Sequence, residues 1–79
     1  MRLDKYLKVS RIIKRRTVAN EACDAGRVEV NGKVARASYD VKVGDVIKVS
    51  LGSNEREYEV LEVLEHALKE DAIKMYKAL

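Results

Sequence analysis

Asn31-Gly32 stands between Val28-x-Val30 and Lys33-Val34, and this short run constrains the fold more than any other stretch of the chain. A two-residue turn of type I′ needs positive φ at both central positions, which Asn and Gly tolerate and β-branched residues do not. The flanking segments are therefore expected to form an antiparallel hairpin, residues 27–30 against 33–36. Val41 and Val43, the Gly44-Asp45 turn, and then Val46, Ile47, Val49 and Leu51 read as a turn feeding a β-branched strand. Residues 58–63 are expected to pair with it across a Gly52-Ser53-Asn54 turn.

Upstream of the hairpin the apolar period becomes helical. Leu3, Tyr6, Leu7 and Ser10 share one face of a short helix, while Lys5, Lys8 and Arg11 point elsewhere. A second helix is expected over 18–25, capped by Thr17 and ended by Gly26 in the left-handed conformation. Its Ala19, Ala22, Cys23 and Ala25 permit close approach of a neighbouring backbone. At the far end, Leu68, Ala72, Met75, Tyr76 and Leu79 fall on one helical stripe, which predicts a C-terminal helix from about Glu70. The expected fold class is α+β, with two N-terminal helices packed on a small, mostly antiparallel sheet and a short helix at the end.

A chain of 79 residues has room for one domain, expected to span 1–79, with a small aliphatic core. There is no Phe or Trp and only four Tyr, so platforms for stacking single-stranded bases are scarce. Cys23 is the sole cysteine and His66 the sole histidine, which leaves no disulfide and no set of ligands at zinc spacing. No metal or other cofactor is expected. No apolar run approaches the roughly 18 residues of a membrane span, and a cytoplasmic protein is expected. Neither a nucleophile elbow nor a phosphate-cradling loop is present, so the chain reads as a binder and not an enzyme.

Charge supplies the functional signal. Residues 1–36 carry ten Lys and Arg against four acids, and residues 37–79 carry six against nine, so a modest total of +3 conceals a bipolar molecule. Arg2, Lys5, Lys8, Arg11, Lys14, Arg15 and Arg16 crowd the first sixteen residues with Asp4 as the single acid. A one-sided positive field attracts polyanions, with nucleic acid as the leading partner. The plainer alternative is the solvated face of an amphipathic helix. Against it, Arg15 and Arg16 stand at the start of the second helix, where cations oppose the helix dipole. Asp4 reads as a first-turn dipole partner or the ion-pair mate of a nearby arginine, and Asn31, Gly32, Gly44 and Asp45 as turn chemistry.

Arg2-Leu3-Asp4-Lys5-x-Leu7, the Arg15-Arg16 pair heading a small-residue helix, Gly26-Arg27-Val28-x-Val30-Asn31-Gly32 and Val43-Gly44-Asp45-x-Ile47 occur in the order found in S4 RNA-binding domains. Over residues 2–51 the chain resembles that family. Its remainder, residues 55–79 with a strand and a helix, is similar to stand-alone bacterial members, the RqcP group and the related 15-kilodalton heat-shock protein. The short length and the lack of a basic C-terminal extension favour the RqcP group. The resemblance implies an S4-type, αL-like fold in which Arg2 and Arg16 are the principal RNA contacts, with Lys5, Lys8, Lys14 and Arg15 supporting them. It further implies a factor that binds a large ribosomal subunit obstructed by peptidyl-tRNA, touching ribosomal RNA and tRNA and assisting alanine tailing of the stalled nascent chain. An alanine-tailing factor is an expected partner, and a monomer is expected. Two alternatives are a general heat-shock RNA-binding protein and a protein-interaction module whose acidic half, with Glu55, Glu57, Glu59, Glu62 and Glu65, is the working surface.

Overall fold

In the computed structural model, which describes all 79 residues, Asn31 and Gly32 have φ of 53° and 84° and join β1 (Val28–Val30) to β2 (Lys33–Val34). The expected hairpin forms with Val30 opposite Lys33. β1 also pairs with β3 (Val46–Leu51), which pairs with β4 (Asn54–Val60), and β4 pairs with β5 (Tyr76–Ala78). All four pairings are antiparallel, in the order β2-β1-β3-β4-β5. Two helices, α1 (Leu3–Val9) and α2 (Arg16–Asp24), precede the sheet, and a single helical turn, α3 (Lys69–Ala72), precedes β5.

Strand alternation divides the sheet into two faces. Val28 and Val30 of β1, Ile47 and Val49 of β3 and Val60 of β4 are buried, and they share one core with Leu3, Tyr6 and Leu7 of α1 and Ala19, Ala22 and Cys23 of α2. Burial pushes the Cys23 thiol up to about 11, so it is an inert core group at neutral pH. Glu29, Lys48 and Glu57 alternate away from this core and oppose one another across β1, β3 and β4, as do Glu59 and Lys77 across β4 and β5. The acidic half of the sequence therefore supplies much of the outer sheet face.

Three boundaries differ from expectation. α2 begins at Arg16 with the extended Arg15 as its N-cap, not at Val18 behind Thr17, and no side-chain cap is present. The Asp4 carboxylate lies against this first turn, meeting the Arg16 and Asn20 side chains, and supplies a negative charge there. The other end follows expectation: the Gly26 N–H donates to Cys23 O and the Arg27 N–H to Ala22 O, a Schellman closure around Gly26 at φ 74°.

The partner strand of β3 runs over Asn54–Val60 and not 58–63. Leu51 opposes Asn54, so the turn contains only Gly52-Ser53. The exposed residues Glu55, Arg56 and Glu57 carry no apolar alternation, yet their backbone continues the ladder, and Lys48 Nζ meets Glu55 at 2.7 Å between the strands. β4 stops at Val60 because the N–H groups of Leu61 and Glu62 both turn to Met75 O, at 2.8 and 3.1 Å.

The largest departure is the C-terminal helix. Only Lys69–Ala72 is helical, and Tyr76–Ala78 is a strand. Of the expected apolar stripe, Ala72 and Met75 are buried whereas Leu68 and Leu79 are 66% and 60% exposed. The open edge of β4 offers backbone partners to 76–78, and Tyr76 opposite Val60 packs edge-on to Tyr58 at 5.2 Å between ring centroids. Tyr6 secures the junction by donating its hydroxyl to Met75 O at 2.7 Å.

Candidate nucleic-acid interface

The first turn of α1 has no side-chain cap, and its free N–H groups find partners elsewhere. Leu3 N–H donates to Tyr39 O at 2.8 Å, Asp4 N–H to Ala37 O at 3.2 Å, and Lys5 N–H to Asp4 Oδ1 at 2.8 Å. This seats Asp4 in the groove between α1 and α2, only 2% exposed.

Arg2 approaches that carboxylate with two nitrogens, Nε to Oδ1 at 3.1 Å and Nη2 to Oδ2 at 3.3 Å. From α2, Arg16 Nε lies 3.4 Å from Oδ2 and Asn20 Nδ2 donates to the same oxygen at 3.2 Å. Burial alone would raise the Asp4 pKa; the donors from Arg2, Asn20, the Lys5 backbone and Arg16 outweigh it and hold the carboxyl below its ordinary value. The Arg2 and Arg16 side chains nevertheless remain 50% and 48% exposed. Each guanidinium is oriented from behind by Asp4 and retains N–H groups facing solvent, a geometry suited to phosphate oxygens. The conflict between Arg16 and the α2 dipole is thereby offset locally by Asp4.

The other expected contact residues fall into two groups. Lys5 is half-buried and ion-paired with Glu65, sixty residues away. Lys8, Arg11, Lys14 and Arg15 are exposed and enter none of the ion pairs. Of these, Lys8, Arg11 and Lys14 line a single cleft whose other wall is Glu65, His66 and Ala67. Arg11 has φ 64° immediately after the end of α1 at Ser10, a left-handed position that normally selects glycine.

Two structural partners were not read from the sequence as such. Asn20 anchors Asp4, and its spacing of four from Arg16 places both on one face of α2. Asp45 does more than form a turn: its carboxylate, 9% exposed, accepts from Asn31 Nδ2, Tyr39 Oη and Lys42 N–H. Asn31 Oδ1 in turn accepts from Val46 N–H at 3.0 Å, so the hairpin turn and the 42–45 turn brace each other.

Comparison with known proteins agrees with this architecture. A model of the S4 domain matches residues 1–47. Across all 79 residues the chain is 53% identical to a Streptococcus pneumoniae protein called RQC P-site tRNA stabilizing factor, covering 90% of that protein. It is 51% identical to the Bacillus subtilis protein of the same name, covering 92% of it. Heat shock protein 15 of Vibrio cholerae, 28% identical, superposes with a TM-score of 0.92 over the whole of this chain and 81% of its own. With a matched S4 domain spanning both N-terminal helices and the first hairpin, and relatives at about half identity from end to end, this chain belongs to the S4 domain family and, within it, to the RQC P-site tRNA stabilizing factors.

Proposed function

We propose that this chain is a cytoplasmic RNA-binding factor of ribosome-associated quality control, acting by binding and not by catalysis. It engages the large ribosomal subunit obstructed by peptidyl-tRNA, contacts ribosomal RNA and tRNA through α1, α2 and the segment between them, and assists alanine tailing of the stalled nascent chain. The supporting observation is the pair Arg2 and Arg16, drawn from the N-cap of α1 and the first turn of α2 onto one buried carboxylate with outward N–H groups and flanked by cations free of acidic partners. The relatives' name supports the quality-control setting and the tRNA contact.

Co-sedimentation with large subunits across a salt series tests the reading. If about three to five cations lie on phosphates, log K falls with log salt at a slope of roughly −2 to −4. Arg16→Ala is expected to weaken binding by about 1.5–3 kcal/mol, the worth of a charge-assisted hydrogen bond, and Arg16→Lys to restore part of it because lysine lacks the planar fork. A flat slope together with full binding by a folded Arg16→Ala protein favours instead a protein partner on the acidic sheet face.

A further inference from the structure

The cleft at the end of α1 is built from two distant parts of the chain. Lys8, Arg11 and Lys14 form one wall, and Glu65, His66 and Ala67 form the other. Its volume, about 360 Å³, is in the range of small-ligand sites, yet only two of its seven lining residues are apolar, which suits a charged group and not an apolar one. Lys8, Arg11 and Lys14 have no carboxylate partner, and the one acid in the cleft, Glu65, is bound to Lys5. The Lys5 ammonium holds the Glu65 carboxyl below the usual carboxylate range.

Resting on the RNA-binding reading above, we propose that this cleft is a subsite for one backbone phosphate of RNA, walled by His66 and Ala67, and that Glu65 is the internal competitor displaced when the phosphate enters. A carboxylate paired with Lys5, in a cleft lined by three further cations, occupies the electrostatic position of a phosphate oxygen in the free protein. When RNA docks, Lys5 exchanges Glu65 for phosphate and joins Lys8, Arg11 and Lys14 on the ligand. The C-terminal segment thus tunes an interface otherwise built from the first sixteen residues, holding Lys5 in check until a polyanion competes for it. Asp4 differs because it lies buried behind its arginines and leaves their outer N–H groups free; Glu65 is exposed and lies in the cleft itself.

The test measures affinity for a tRNA transcript by fluorescence anisotropy, and for large ribosomal subunits by sedimentation, in wild type, Glu65→Gln, Glu57→Gln, Lys14→Ala, Lys14→Ala/Glu65→Gln and Arg16→Ala. Glu65→Gln is expected to bind about twofold to fivefold tighter, the span set by an exposed ion pair. Glu57→Gln, on the outer sheet face, is expected to change affinity by less than about 1.5-fold because its field is screened. Lys14→Ala weakens binding and reduces the gain from Glu65→Gln in the double variant. Unchanged or weaker binding by Glu65→Gln, or an equal gain from Glu57→Gln, overturns the competitor role. Arg16→Ala keeps the two readings apart: if it weakens binding while Lys14→Ala and Glu65→Gln leave affinity unchanged, the subsite alone falls, and if it has no effect the RNA-binding reading falls as well.

Discussion

Arg16 on α2 and Asp4 on α1 meet with Nε 3.4 Å from Oδ2, and this contact joins the two helices at the point where cations are most concentrated. The same carboxylate holds Arg2, so one buried charge sets the direction of two exposed ones. A guanidinium already oriented loses less side-chain freedom on meeting a phosphate than one that is free in solution.

Asp4→Asn is expected to destabilise the fold by about 1–2 kcal/mol at neutral pH, since charge-assisted hydrogen bonds become neutral ones and one Asn atom presents donors to donors. Its pH dependence has a definite sign. Because the folded carboxyl titrates below its ordinary value, its contribution is fully present above about pH 4 and is lost as pH falls through the folded pKa. Thermal melts of wild type and Asp4→Asn should therefore differ most near neutrality and converge as pH falls below the folded pKa of Asp4. A gap that does not narrow on acidification assigns Asp4 a packing role only. The same variant should bind RNA more weakly even where it is fully folded.

Arg11→Gly is expected to move stability and binding in opposite directions. At φ 64° an arginine incurs roughly 1–2 kcal/mol of left-handed strain, of which glycine's greater unfolded-state freedom cancels part. The net effect should be a gain of about 0.5–1 kcal/mol in stability, read as a raised melting temperature, with weaker RNA binding. Loss of stability would show that the Arg11 side chain supports the fold.

Gly32→Val should damage folding and not recognition. No atom lies within 4 Å of a Cβ built there, so space is available, but φ 84° is hostile to a β-branched side chain. A cost of about 1–3 kcal/mol is expected in thermal or urea unfolding. Wild-type melting combined with lost RNA binding would make the turn a contact surface.

Local chemistry made much of this protein legible without coordinates. Asn31-Gly32 and Gly26 need backbone conformations open to few residues, so the hairpin and the end of α2 lie where those residues stand. The small-residue face of α2 and the valines of β1 and β3 follow from periodicity, and the charge imbalance marked the N-terminal segment before any geometry was known. Long-range competition decided the rest. Residues 76–79 have a helical apolar period, but the open edge of β4 offers backbone hydrogen bonds and Tyr58 offers an aromatic partner, so 76–78 extends the sheet. Asn54–Glu57 lack any apolar alternation and became a strand because β3 lay beside them. The pairing of Asp4 with Arg16 of α2, and of Lys5 with Glu65, joins positions whose proximity no local pattern encodes. The sequence alone thus determined the 31–32 turn, the end of α2, the buried faces of α1 and α2 and the one-sided charge; which cations are held, by which acid, and facing which way was decided only by the packing of α1 on α2 and of the C-terminal segment against α1.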